Sequence, residues 1–296
     1  VISKIVEYNI LNNTTIISAE DNESILKFDK ANYITGIDEL NGLLFISEWG
    51  NNPRRLNIER AKLYGLNGFT EDDITLIVKP PIQKLKLTLQ DTTTEASEEN
   101  FIKEKFLSFS YRWRYLDGEY SVPAPFTEFA FEPKDFKYSF AEQSNTSMVN
   151  KFNQVLIEFN TGSDRVTEIQ LIFKESGSKT EWIIDDFDKA LLGYGHNETQ
   201  SFIFNNSKVK RALSDHILSS TFDNVPLTAK AQAIIDGRLL LANYQEFYDI
   251  KDNLGNKINI DYSLQGVFTP NTKIVDTETV PTLIPKRTIK SNRDYE

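Results

Sequence analysis

No cysteine occurs anywhere in the 296 residues, so the fold has neither disulfides nor thiolate metal sites. That composition fits assembly in a reducing cytoplasm. Histidine is nearly absent too, with His196 and His216 the only two. A histidine-based hydrolase or a zinc centre needs convergent partners, and this spacing offers none, so both are read as structural. Methionine occurs once, at Met148, and the chain opens on Val1. It stops on the charged segment Lys290-Ser291-Asn292-Arg293-Asp294-Tyr295-Glu296. The expectation is a piece, or a processed part, of a longer polypeptide, with no signal peptide at this end. No apolar run approaches the ~20 residues of a membrane span, so no membrane partner is expected.

What is present points to β structure. Hydrophobic residues make up 40% of the chain, enough for a sizeable core, and aromatics 12%, with 20 Phe and 12 Tyr. Flat aromatic side chains suit a pleated, half-buried surface. The length allows roughly two domains. The net charge of -10 repels phosphate and argues against wrapping of duplex nucleic acid. A smooth negative channel through which DNA slides remains compatible with it.

Two stretches share one pattern. Ile34 to Leu40 leads through Asn41-Gly42 into Leu43-Leu44-Phe45-Ile46-Ser47-Glu48-Trp49. Asn-Gly between apolar runs is a strong hairpin signal. A second turn, Gly50-Asn51-Asn52-Pro53, leads to a third strand, Arg54-Arg55-Leu56-Asn57-Ile58, so the unit resembles a β-propeller blade. Ala231 to Ile235, Asp236-Gly237 and Arg238 to Tyr244 repeat the hairpin, with an aromatic seven positions after the glycine in both copies (Trp49, Tyr244). Gly42 and Gly237 are 195 residues apart, far beyond the ~40–50 of one blade. A sizeable insertion is therefore expected between two related units.

The intervening region reads as a β unit of its own. Leu107, Phe109, Tyr111, Trp113 and Tyr115 alternate with Ser108, Ser110, Arg112 and Arg114, which predicts a strand with one aromatic and one polar face. Asp117-Gly118 turns it back, and Pro123 and Pro125 end the return strand or put it at a sheet edge. Strands are expected at Val155–Phe159, Ile169–Phe173, Glu181–Ile184 and Ser201–Phe204, in a sandwich of immunoglobulin or fibronectin type. Helices are minor. Val209, Ala212, Leu213, His216 and Ile217 fall at helical spacing after a possible cap, Ser207, and Lys208-Val209-Lys210-Arg211 would be the solvated side of that helix. Thr70 before Glu71-Asp72-Asp73 suits a helix N-terminus. The polar stretch 91–99 and Asn224-Val225-Pro226 set the boundaries. The expected domains are residues 1–90, propeller-like; 91–224, a β-sandwich insertion; and 225–296, the propeller-like part resuming.

Candidate chemistry is sparse. Asp185, Asp186 and Asp188 could flank a glycosidic bond or hold calcium. No glycine-punctuated calcium loop surrounds them, and they are read as the acidic start of a helix. The glycines show no phosphate-binding spacing, and no Gly-x-Ser-x-Gly elbow occurs. Arg112 and Arg114 beside the aromatic stripe suggest base stacking, but alternation turns the two sets to opposite faces. Arg54 and Arg55, adjacent in a strand, also point to opposite faces. One is expected to pair within the chain and the other, exposed, to bridge to a neighbour. No catalytic, cofactor or metal residue is assigned. Candidate intersubunit contacts are Asn51, Asn52, Pro53, Arg54, Arg55, Pro123 and Pro125.

Several phrases carry a resemblance together. They are Gly42-Leu43-Leu44-Phe45 running into Asn51-Asn52-Pro53-Arg54-Arg55-Leu56-Asn57, then Val78-Lys79-Pro80-Pro81, and then Tyr111-Arg112-Trp113-Arg114-Tyr115-Leu116-Asp117-Gly118-Glu119-Tyr120-Ser121. Arg238-Leu239-Leu240-Leu241-Ala242-Asn243-Tyr244 and Ile289-Lys290-Ser291-Asn292-Arg293-Asp294-Tyr295 complete the order. From about residue 34 to 296, the chain resembles the tail muzzle, or stabilisation, proteins of crAss-like short-tailed bacteriophages of Bacteroides and relatives. Family members are much longer. Ser47-Glu48-Trp49 departs from the aspartate-rich turn expected there. The resemblance implies a non-enzymatic virion protein, assembled in the bacterial cytoplasm. Copies would ring the DNA exit channel beside other tail proteins, and the genome would pass without specific binding. A surface-glycan binder or depolymerase using Trp49, Tyr244 and the Asp185–Asp188 cluster is the alternative, with a cell-surface adhesin module a third reading.

Overall fold

The computed structural model describes residues 2–21, 25–66, 68–92, 99–207, 211–213, 225–246, 266–271 and 280–285. It is mostly β, with three one-turn helices among the described residues. The chain groups into two units, residues 1–246 and 247–296. Of the segments that set the expected domain boundaries, residues 93–98 and Asn224 lie outside the described residues.

The first unit opens with a hairpin, β1 (Ser3–Asn9) and β2 (Thr14–Asp21). A three-stranded antiparallel sheet follows: β3 (Ile34–Leu40), β4 (Leu43–Glu48) and β5 (Arg54–Asn57). The turn between β3 and β4 is the expected one, with Asn41 at φ 53° and Gly42 at φ 79°. Positive φ at both central residues is what a two-residue hairpin needs to match strand twist. Helices α1 (Ile58–Ala61) and α2 (Glu71–Ile74) come next. At α2 the Asp73 carboxylate accepts from the Thr70 N–H and hydroxyl, both at 2.8 Å, so the acidic turn starts a helix as its sequence predicts. Leu26, Leu56, Ala61, Phe69 and Ile74 form a small core here.

The inserted region takes in β6 (Lys86–Gln90), which lies ahead of the boundary expected at residue 91 but pairs with β10, together with β7 (Leu107–Tyr115), the short pair β8 (Tyr138–Ser139) and β9 (Ser144–Asn145), β10 (Gln154–Asn160), β11 (Val166–Glu175) and β12 (Glu181–Asp188). Helix α3 (Lys189–Leu192), β13 (Thr199–Phe204) and β14 (Arg211–Ala212) complete it. Two sheets result, ordered β13-β10-β6 and β14-β12-β11-β7. They share one core, in which Phe204 meets Phe109 and Phe173 with ring centroids 5.1 and 5.3 Å apart. Phe159 meets Phe187 at 5.2 Å in the same way. Strand β11 is buried on both faces. Ile169, Leu171 and Phe173 enter this core, and Ile172 packs on the other side with Ile183 and Leu213.

Arg211 and Ala212 pair with Ile183 and Trp182. This corrects the helix expected from Ser207 onward: sheet pairing overrides the 3.6-residue period at these positions. Val209, His216 and Ile217, with the basic residues 208–210, lie outside the described residues.

The chain returns as β15 (Thr228–Ile235) and β16 (Arg238–Gln245), joined by Asp236 (φ 50°) and Gly237 (φ 71°). The two copies of the hairpin pattern therefore share one turn geometry. They also meet in space. The Gln232 amide donates to Asp38 Oδ2 and to the Phe45 carbonyl, both at 2.9 Å. Gly36 permits this approach, because a Cβ there would lie 2.2 Å from Gln232 Cγ. No sheet closes on itself among the described residues. In the second unit, β17 (Gly266–Asn271) and β18 (Val280–Pro285) pair antiparallel, Gly266 opposite Pro285.

Candidate functional site

The pair Arg54 and Arg55 divides as alternation requires. Arg54 turns into its own module, where Nη1 donates to Glu48 Oε1 at 3.1 Å and the guanidinium lies 5.2 Å from the Phe28 ring centre. Burial raises the pKa of Glu48, although a hydrogen bond from Asn51 and the charge of Arg54 both oppose the shift. Burial likewise lowers that of Arg54. Arg55 leaves by the opposite face and pairs with Glu119, with Asp117 Oδ2 3.8 Å away. On the same side, Asn57 Nδ2 donates to Asp117 Oδ1 at 3.1 Å, and Arg60 pairs with that oxygen. The Asp117-Gly118-Glu119 turn of the inserted region is thus gripped by β5 and α1.

This corrects the expectation of an exposed arginine. Arg54 and Arg55 are 8% and 5% exposed, and each pairs within the chain. Of the candidate contact stretch, Pro53 is also buried, Asn51 is half-buried, and only Asn52 is exposed.

Pro123 and Pro125 lie on the open side of β7, as an edge position requires. The chain after the turn runs along β7 in an irregular way. Ser121, Ala124, Thr127 and Ala130 donate their N–H groups to the carbonyls of Trp113, Tyr111, Phe109 and Leu107. Three residues of this segment therefore match two of β7, and the four donors are buried while Pro125 and Glu128 are exposed. The small residues Ser, Ala, Thr and Ala recur every third position, which lets the segment approach closely. The prolines, which have no N–H, fall between the donors. This period was available in the sequence and was missed.

Beneath that segment the polar face of β7 is covered. Ser108 and Ser110 hydroxyls donate to the Thr127 and Ala124 carbonyls, each at 2.6 Å. Arg112 Nε donates to Gln170 Oε1 at 2.8 Å, Gln170 Nε2 donates to Asp186 Oδ1 at 2.6 Å, and Asp186 pairs with Arg211. This polar ladder crosses four strands, and the Arg112 guanidinium stacks 4.2 Å from the Tyr120 ring centre. Arg112 is therefore an internal strut rather than a base-stacking surface.

The acidic cluster divides in the same manner. Asp185 and Asp186 lie within β12, which extends past the expected end at Ile184. Only Asp188 starts a helix, accepting from the Leu191 N–H of α3 at 3.0 Å. His196 lies in an exposed loop, its Nδ1 3.2 Å from Lys189 Nζ, which also donates to the Ser163 carbonyl at 2.8 Å. His216 is outside the described residues. Trp49 and Tyr244 are 38% and 51% exposed. Lys230 Nζ of the second hairpin copy sits 4.1 Å from the Trp49 ring centre in the first.

A cleft of about 370 Å³ opens beside the Arg55 clamp. Tyr111, Trp113 and Tyr115 of β7 form one wall, and Ile77, Pro80 and Ile82 of the segment after α2 form the other. The aromatic stripe thus begins in the core and ends in this cleft: Tyr111 is buried, whereas Trp113 and Tyr115 are half-buried. Trp113 Nε1 donates to the Asn160 carbonyl at 3.1 Å, and the Tyr115 hydroxyl donates to the Lys79 carbonyl at 2.7 Å. Burial pushes both tyrosine hydroxyls up to about 12. No family model, curated protein or solved structure matches the chain.

Proposed function

We propose that this chain is a structural protein of a virion, part of the tail muzzle of a crAss-like short-tailed phage. Copies of it ring the DNA exit channel and stabilise the tail beside other tail proteins, after assembly in the bacterial cytoplasm. In this reading the two-layer insertion is a sandwich of immunoglobulin or fibronectin class, and the paired hairpin copies are blade-like units.

The observation that carries an assembly role is the β1–β2 hairpin. Val6, Tyr8, Ile16 and Ile17 are each more than two-fifths exposed, and Ile10 and Leu11 at its tip are 80% and 93% exposed. A two-stranded ribbon is marginal by itself, and clustered exposed apolar side chains mark surfaces that a partner covers. The order of motifs that resembles the muzzle proteins supplies the identity of the assembly. Of the candidate contacts, Asn52 and Pro125 are exposed and Pro123 is half-buried, whereas Arg54 and Arg55 serve the interior. An acidic chain, at -10 overall, suits a channel wall that must not grip DNA.

Mass spectrometry of purified phage particles, with imaging of tails labelled by an antibody to this chain, tests the proposal. Peptides in the particle and label at the tail tip support it. Particles that lack the chain, with the protein free in the lysate or in the host envelope, overturn it.

A further inference from the structure

The cleft beside β7 has a composition that selects among ligand classes. One wall is aromatic. Trp113 and Tyr115 stand two residues apart on one face of the strand, and Tyr111 continues the wall inward. Gly162 backs the indole, since a methyl group there would come within 3.0 Å of Trp113 Cε2. The wall is therefore fixed in place by packing and by the Nε1 hydrogen bond.

The charges around the cleft cancel. Each cation that lines it has a carboxylate of its own: Arg55 has Glu119, Lys79 has Asp72, and Arg165 Nε lies 3.3 Å from Asp73 Oδ1. A phosphate or carboxylate ligand would have to displace one of these partners and leave it unpaired, which is costly where the pair is shielded from water. Charge therefore gives an anion no advantage here.

The cleft is also too polar for a hydrocarbon. Gln83, Asn160, Ser163 and Asn197 line it with Arg165. Amide side chains each offer donors and an acceptor. An aromatic wall facing a rim of planar hydrogen-bonding groups fits a ligand with an apolar C–H face and a periphery of hydroxyls. The volume lies within the range of about 300–1,000 Å³ typical of small-molecule sites.

We infer that this cleft is a binding site for a neutral saccharide, with Trp113 and Tyr115 as the stacking platform and Arg165, Gln83 and Asn197 addressing the hydroxyls. The site is distinct from Trp49, Tyr244 and the Asp185–Asp188 cluster. It needs nothing from the virion role: particle composition tests that role, and solution binding tests this site.

The test uses the full chain, titrated calorimetrically and by tryptophan fluorescence with maltotriose, mannotriose, galactotriose, triacetylchitotriose and trigalacturonic acid. At least one neutral trisaccharide binds with a Kd of about 1 mM or tighter, the weak end of specific recognition. Trigalacturonic acid binds no tighter than the best neutral one. Trp113→Ala lowers the affinity about tenfold or more. Gln83→Ala, an exposed position at the rim whose loss leaves the core intact, lowers it about threefold. If no neutral trisaccharide binds, if the acidic one is preferred, or if Gln83→Ala and a folded Trp113→Ala bind like the wild type, the inference fails.

Discussion

Arg55 of β5 and Glu119 of the inserted region are 64 residues apart and form an ion pair in which the guanidinium is 5% exposed. The pair fastens the inserted region to the three-stranded sheet, with Asp117 bridging between Arg55 and Arg60. Removing one member of a buried pair leaves its partner charged and uncompensated. Arg55→Ala is expected to lower the unfolding free energy by about 3 kcal/mol in urea titrations. Glu119→Ala leaves the buried guanidinium without its nearest carboxylate and is expected to cost about 1–3 kcal/mol. A cost below about 0.5 kcal/mol for either variant would refute the clamp.

Gly36 and Gln232 form the second joint. Gly36→Ala puts a methyl group where the Gln232 side chain lies and is expected to cost about 1–3 kcal/mol. Gln232→Ala loses two hydrogen bonds but clears the space. The double variant is therefore less destabilised than the sum of the single changes, with a coupling of about 1 kcal/mol. Strict additivity in a double-mutant cycle would show that the two hairpins do not meet at this point.

The segment along β7 gives a position-by-position test. Ala124 is 2% exposed at a donor position, whereas Pro125 is exposed. Ala124→Leu is expected to destabilise by about 1–3 kcal/mol through overpacking. Pro125→Ala should change stability by no more than about 0.5 kcal/mol. Thr127→Leu should be about as costly as Ala124→Leu in thermal and urea unfolding, because a period of three buries both, whereas an ordinary strand alternating by two would turn one of them outward.

Alkaline titration probes the cleft wall. Burial holds the Tyr111 and Tyr115 hydroxyls up to about 12. The native state therefore keeps protons that the unfolded chain releases near 10, so stability falls as pH rises between about 10 and 12. Absorbance at the phenolate band should show these two tyrosines ionising only near pH 12 or on unfolding. Tyr115→Phe should remove one late-titrating group. Full phenolate absorbance reached by about pH 10.5 without unfolding would contradict the burial.

Local signals in the sequence translated well. Asn41-Gly42 and Asp236-Gly237 specify their hairpins through backbone conformation alone, and Thr70 with Asp73 specifies α2 within one turn. The β7 alternation is likewise a property of neighbouring residues. The arginines were harder. Their opposite faces follow from strand geometry, but the burial of Arg55 depends on Asp117 and Glu119, more than fifty residues away. The same holds for Arg211–Ala212, where pairing with β12 defeats a helical period. Pro123 and Pro125 signal a strand ending, whereas Ser121, Ala124, Thr127 and Ala130 around them carry the three-residue spacing that shapes the edge. The cleft was not legible, since its walls come from two stretches brought together by long-range contacts: the Arg55 clamp, the Arg165–Asp73 pair and the Tyr115–Lys79 hydrogen bond.

The contact between the two hairpin copies also fixes an order of events. Gln232 reaches Asp38 and Phe45 across 194 and 187 residues of chain. During synthesis, β3 and β4 emerge long before the strand that covers them, while every strand of the inserted region that lies between has already left the ribosome. The insertion can fold as a unit during that interval. The face of β3 that carries Gly36 and Asp38 must wait for Gln232 until β15 and β16 arrive. Such long-range closure is slow compared with local folding, so the docking of the β15–β16 hairpin onto the β3–β4–β5 sheet comes late in the maturation of residues 1–246.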